Sequence, residues 1–322
     1  MLTFNEIHNN FLAIIEKKIP DKANLVETLM DILYMEKGAI YRRLRGDVPF
    51  SFYEVAKIVN QLDISIYNLI YPDSVRIDRF DLNIIEYANM NEPDYRQWED
   101  YTAMMNLAKN DALSEIYESS NVLPISMYSK YNSLSKFYLF KYSYLFSGTE
   151  SRMSYHDLVV SDRLNQAFRS YYYAAKSFAN TVYIWDYMIF QYLATDLHFF
   201  ASINLISQEE IHQIKEDLFA LLNYIEQIAS NGHFEETRNA VSFYISEVNL
   251  DGDYSYLRFN DMHLSLVRTF IINAVVSADR SSFEKIENWI NSFKKSSVLI
   301  TKTGEVFRAE FLRTQRKIIA AL

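Results

Sequence analysis

The chain reads as a mainly α protein. A small helical domain over residues 1–73 precedes a larger helical region over 74–322, which carries a small antiparallel β-hairpin or three-stranded sheet near 241–259. Three observations predict this. All five prolines (Pro20, Pro49, Pro72, Pro93 and Pro124) lie in the first part of the 322 residues, so no proline ring interrupts a helix from there to the C-terminus. Capping-box spacings recur at Thr3/Glu6, Ser51/Glu54, Ser207/Glu210 and Ser281/Glu284, where two side chains satisfy the orphan amides of a helix start reciprocally. Only one stretch breaks the helical rhythm, near residue 241.

In chain order, Thr3 opens the first helix, and Asn24 with Glu27 forms a looser box before a face of Leu25, Leu29, Ile32 and Leu33. Ile40 and Leu44 pin the next helix to the core, and Gly46 suits its left-handed end. Ser51 and Glu54 start another, with Val55, Ile58, Val59 and Leu62 at helical spacing. Helices are predicted over 94–108, 123–146, 162–179, 181–205 and 305–321. The clearest stripe runs from Ile211 through Ile214, Leu218, Leu221, Leu222 and Ile225 to Ile228, and ends near Gly232. Then Val241, Phe243 and Ile245 alternate with Ser242, Tyr244 and Ser246. The turn chemistry of Asp251-Gly252-Asp253 follows, then YSYLRF at 254–259, with a third strand within 263–271. Ser281 starts a helix with Ile286, Trp289, Ile290 and Phe293 inward, and Ser296, Ser297 and Lys302 to Gly304 make a polar connection before the last helix.

Composition excludes several classes. A net charge of −9 argues against a protein that coats nucleic acid without selectivity, because that needs a strong positive field. With no cysteine there is no disulfide, thiolate metal site or cysteine nucleophile, which fits a reducing cytoplasm. The N-terminus lacks the basic-then-apolar pattern of a leader. No apolar run is long enough to span a membrane, since even 181–206 is broken by Asp186, Gln191, Asp196 and His198. The expectation is a cytoplasmic protein without a membrane partner. The 25 Tyr, 22 Phe and 3 Trp are read as packing material.

The informative motif lies at Asn24–Gly46, NLVETLMDILYMEKGAIYRRLRG, which reads helix, tight turn, helix, with Met35 plugging the turn. On the second helix, opposite Ile40 and Leu44, the residues Gly38, Tyr41, Arg42 and Arg45 fall at i, i+3, i+4 and i+7, with Lys37 beside them. One face packs while the other offers long hydrogen-bond donors, as a helix lying in the DNA major groove requires. Arg43 turns partly toward the neighbouring helix, for the phosphate backbone or a structural ion pair. Residues 1–73 carry 8 basic and 10 acidic side chains, but Glu36–Asp47 alone is net positive, which suits selective binding.

From Leu25 to Leu69, about one seventh of the chain, the sequence resembles the lambda-repressor-like (Cro/Xre-type) helix-turn-helix family. AIYRRLRG, the following P-x-S-x-x-E-V and the closing LDIS carry the resemblance. It departs at two positions: the family favours a small residue where this chain has Met30 and glycine where it has Tyr34. The resemblance implies a sequence-specific DNA-binding transcription regulator. Helix 36–45 would read double-stranded DNA through Lys37, Gly38, Tyr41, Arg42, Arg43 and Arg45. The layout is similar to one-component regulators with an appended helical sensor or dimerisation region, so a homodimer is expected. A concave, partly aromatic pocket within 94–230 is expected for a small-molecule or short-peptide effector. The alternative is a protein- or peptide-binding interaction protein with a degenerate helix-turn-helix.

Nothing in the sequence points to an enzyme or a cofactor. No GxGxxG, GxxxxGK or GxSxG occurs, and the six histidines form no HxxxH or HExxH pair, so neither catalytic nor metal residues are expected. Asp251 and Asp253 lack the further carboxylates of a calcium loop and are read as a turn.

Overall fold

A computed structural model describes residues 4–62, 64, 80–82, 84–146 and 153–322. The chain divides into two compact units, Met1–Asp78 and Arg79–Leu322.

Among the described residues the first unit comprises α1 (Phe4–Lys18), α2 (Lys22–Leu33), α3 (Lys37–Leu44) and α4 (Phe52–Gln61). Its core gathers Phe11 and Ile15 of α1, Leu25 and Leu29 of α2, Ile40 of α3 and Ile58 of α4, all essentially without solvent contact. Each such side chain contributes about 1.5–3 kcal/mol by leaving water. Asp21, rather than Asn24, caps α2 by accepting the Asn24 amide at 2.8 Å. A carboxylate one turn earlier supplies the acceptor, so the helix begins sooner than the Asn24/Glu27 spacing suggests. Ser51 and Glu54 do form their capping box on α4. Thr3 and, within the family-like stretch, residues 63 and 65–69 lie outside the described residues.

The second unit contradicts the expectation of a mainly α region with a small hairpin: it is a mixed α/β fold around a seven-stranded sheet. Its elements are α5 (Glu92–Asn106), β1 (Glu115–Ser120), α6 (Ile125–Tyr128), α7 (Asn132–Phe146), α8 (Asp162–Ala174), β2 (Asn180–Asp186), α9 (Gln191–Ser202), α10 (Gln208–Asn231), β3 (Ala240–Ser246), β4 (Tyr254–Phe259), β5 (Met262–Thr269), β6 (Asn273–Ser277), α11 (Arg280–Phe293), β7 (Ser297–Leu299) and α12 (Glu305–Ala320). The strand order is β6-β5-β4-β1-β2-β3-β7. Strands β1, β2 and β3 are parallel, and every other pairing is antiparallel.

The hairpin expected at 241–259 does not exist. β3 and β4 are each regular, but β1 and β2 lie between them, and the Asp251-Gly252-Asp253 segment bridges that gap. Asp253 turns inward, accepting the Asn121 amide at 3.0 Å and pairing with the half-buried Arg268 at 3.2 Å. The expected helix over 181–205 begins instead as β2, whose residues 181–186 are all buried. A strand covered on both faces reads as a continuous apolar run and has no period of two to betray it. β1 escapes notice for the opposite reason: Glu115, Glu118, Ser119 and Ser120 give it the composition of a loop. α11 is capped by Asp279, which accepts the Ser282 amide at 3.0 Å, not by the Ser281 box. Ser297 belongs to edge strand β7 rather than to a connecting loop.

The topology follows from connection rules. The two parallel crossovers, β1 to β2 and β2 to β3, step the same way along the sheet, so right-handed connections place their helices on one face. There Tyr183, Trp185, Val241, Phe243 and Ile245 pack against α7, α9, α10 and α12. The link from β6 to β7 travels from one sheet edge to the other, and its helix α11 covers the remaining face, setting Phe283 and Ile290 on Val182, Ile184 and Tyr256. Among the described residues no helix is long and apolar enough to cross a membrane.

Candidate functional site

Two places collect polar side chains that the folding of each unit leaves with chemistry to spare. In the first unit it is the outward face of α3. Ile40 holds the helix to the core from one side, so Lys37, Gly38, Tyr41 and Arg42 are exposed on the other. Among the described residues neither Lys37 nor Arg42 has a carboxylate within ion-pair distance. A Cβ built on Gly38 would meet nothing within 4 Å, so packing within the chain does not require glycine there.

The three arginines separate into three roles. Arg42 is exposed and projects from the second turn of the helix. Arg45, at the helix end, pairs with Asp47 at 2.8 Å, both side chains being more than half exposed. Such a pair holds about 0–1 kcal/mol and exchanges readily for another anion. Arg43 turns inward, and its Nε and Nη2 donate to the two oxygens of Glu54 at 3.1 and 2.7 Å. Only 15% and 8% of these side chains reach solvent, so Arg43 is the structural ion pair that joins α3 to α4, and its fork is not available to a phosphate. Burial works to raise the Glu54 carboxyl, but the Arg43 guanidinium and the Ser51 amide outweigh it and hold that group below its ordinary range.

The departures from the family pattern also have a geometry. Met30 packs at the edge of the core, and Tyr34 adopts the left-handed backbone with φ 54° that glycine would take without strain. The residue is 86% exposed, and Lys57 lies over the Tyr34 and Tyr53 rings at 5.2 and 5.0 Å.

In the second unit, charged groups meet aromatic rings inside the sheet–helix layer. Lys176, just after α8, is completely buried. Its ammonium donates to the Tyr172 and Ser126 carbonyls at 3.1 and 3.4 Å and lies 3.0 Å from the centroid of the Tyr172 ring. Burial pushes its pKa well below the usual lysine range. On β1, Glu118 accepts from Ser126 Oγ at 2.7 Å, and burial raises its carboxyl. Glu236 accepts from the Tyr172 and Tyr224 hydroxyls at 3.2 and 2.8 Å. None of these was marked by the sequence, because a lysine in AAKSFAN carries no motif and its partners are distant in the chain.

The expected aromatic pocket within 94–230 has only a partial counterpart. An open groove of about 380 Å³ runs between the starts of α7 and α10, but Lys136, His156, Glu209 and Glu210 line it, with Tyr155 as its one phenol. Among the described residues no group of three or more His, Asp or Glu could hold a metal ion. No family model, curated protein or solved structure matches the chain.

Proposed function

We propose that the chain is a sequence-specific DNA-binding transcription regulator, in which α3 enters the major groove and the second unit supports dimerisation and effector response. The reading is supported above all by the α3 face: Lys37, Gly38, Tyr41 and Arg42 are exposed together, with no carboxylate to compete for Lys37 or Arg42 among the described residues. Gly38 lets a nucleic-acid backbone or base edge approach the first turn closely. Arg42 can fork onto guanine O6 and N7, Tyr41 can reach a phosphate or a thymine methyl, and Lys37 supplies a point charge for the backbone. Arg45 joins them by leaving Asp47. One such helix reads only a few base pairs, so two copies on half-sites one DNA turn apart belong to the proposal.

The test is selection from random duplex DNA by the full-length chain, followed by titration of the selected sequence at two salt concentrations. Arg42→Ala is expected to cost roughly 1–3 kcal/mol and relax one base position. Lys37→Ala should weaken all sequences alike and lower the salt slope by about one unit. Failure to enrich any sequence, or wild-type binding by both variants, overturns the reading. Light scattering that gives only the monomer mass with the selected DNA removes the dimer from it.

A second reading, an interaction module with a degenerate helix-turn-helix, draws support from the exposed Tyr34, Phe52 and Tyr53. It takes precedence if DNA selection fails while substitutions at these rings abolish a protein contact.

A further inference from the structure

Lys130 lies in the turn between α6 and α7 and is half-buried. Its ammonium stands over three tyrosine rings at once: 4.4 Å from the Tyr224 centroid, 4.7 Å from Tyr172 and 5.1 Å from Tyr131. All three lie within the roughly 6 Å at which a cation is attracted by a ring face. Two of the rings are rigidly held, since the Tyr172 and Tyr224 hydroxyls both donate to the carboxylate of Glu236. That carboxylate places negative charge behind the rings while its oxygens stay occupied by phenols. Among the described residues no carboxylate comes within ion-pair distance of Lys130.

A primary ammonium is a poor occupant of such a place. It carries three N–H donors and a tightly bound hydration shell, and ring faces replace neither hydrogen bond nor water well. Burial accordingly lowers the Lys130 pKa, against the opposing pull of Glu236 and Glu235. The neighbouring Lys176 also lies against two of these rings, 3.0 Å from the Tyr172 centroid and 5.9 Å from Tyr224, and burial lowers its pKa. A methylated ammonium has the same charge, fewer or no donors and a looser hydration shell, so the same three rings suit it better.

We propose that Tyr131, Tyr172 and Tyr224, backed by Glu236, form a cage for a methylated ammonium group, and that Lys130 is its built-in competitor. Lys130 sits in a turn and keeps part of its surface in solvent, so its side chain can leave without unfolding a helix. The site takes a small quaternary ammonium compound. It belongs to the second unit alone and does not depend on DNA binding.

The experiment is calorimetric titration of the purified full-length chain with tetramethylammonium chloride, with sodium chloride as the ionic-strength control. Lys130→Ala should bind tetramethylammonium about tenfold more tightly than the natural chain, because the competitor is gone. In that background Tyr224→Phe keeps the ring and should keep binding, whereas Tyr224→Leu should lose it. Tyr131→Leu, at a half-buried position with less consequence for folding, provides the same loss if Tyr224→Leu melts below the working temperature. Equal affinity with and without Lys130, the same heat from sodium chloride, or undiminished binding after Tyr131→Leu in the Lys130→Ala chain would overturn the proposal.

Discussion

Each unit buries a cation, and the two do so on opposite terms. In the first, Arg43 meets Glu54 through two parallel hydrogen bonds, and Glu54 also completes the capping box of α4. The carboxylate serves a helix start and a helix–helix contact together, so the charge is matched where it is buried. In the second, Lys176 is more deeply buried and is met by carbonyl oxygens and ring faces, with no carboxylate in ion-pair range among the described residues. Burial by itself does not make a charged group stabilising. What decides is whether the partner offers equal and opposite charge in the right geometry.

That contrast predicts effects of opposite sign. Glu54→Ala, which strands Arg43 and removes half of a cap, should cost roughly 3 kcal/mol, read as faster amide exchange across α3 and α4. Because the folded Glu54 carboxyl is held below its ordinary 4.5, its contribution is complete above that pH and fades as pH falls through the lower folded value. Natural and variant chains should therefore converge in acid. A loss below 1 kcal/mol at neutral pH would mean that the pair is no more than a surface contact.

Lys176→Met should instead stabilise the second unit, by about 2 kcal/mol at neutral pH, because the cost of keeping an amine in the core disappears. The sign of its pH dependence is fixed. The folded pKa lies below the unfolded value of 10.5, so the penalty is present below 10.5 and vanishes as the unfolded lysine also loses its proton. The advantage of Lys176→Met in thermal melts should shrink as pH rises toward that value. A destabilised variant would show that the carbonyl and ring contacts of Lys176 outweigh its desolvation.

Two smaller effects sharpen the comparison within the first unit. Tyr34→Gly should gain about 1 kcal/mol by relieving a left-handed tyrosine, less whatever the exposed Lys57 contact contributes, and denaturant melts would show it. Gly38→Ala should gain roughly 0.5–1 kcal/mol of helix stability, since open space surrounds that position. Under the proposed function the same substitution should weaken DNA binding. A variant that is more stable and binds DNA normally would leave Gly38 without a role in close approach.

The first unit was far more legible than the second. The apolar stripes of α2 and α4 and the Ser51 box are local signals, and the inward tilt of Arg43 followed from its place between faces. Its partner Glu54 was visible as a cap, though not as the other half of an ion pair, because that contact spans two helices. In the second unit the long stripe of α10 was equally clear, and the alternation in β3 identified a strand. Its neighbours were not identified. β3 pairs with β2 and β7, and β4 with β1 and β5, across separations that no turn motif encodes.

By itself the sequence determined where most helices start, which residues of α3 face outward, and that residues 240–246 are extended, because capping, helical period and strand alternation are properties of a few consecutive residues. Only the tertiary structure decided that 180–186 is a strand, that β3 and β4 are not neighbours, and that Lys130, Tyr172, Tyr224 and Glu236 share one place. A strand buried on both faces and a cluster assembled from four segments are defined by what packs against them, and that information lies in the distant parts of the chain.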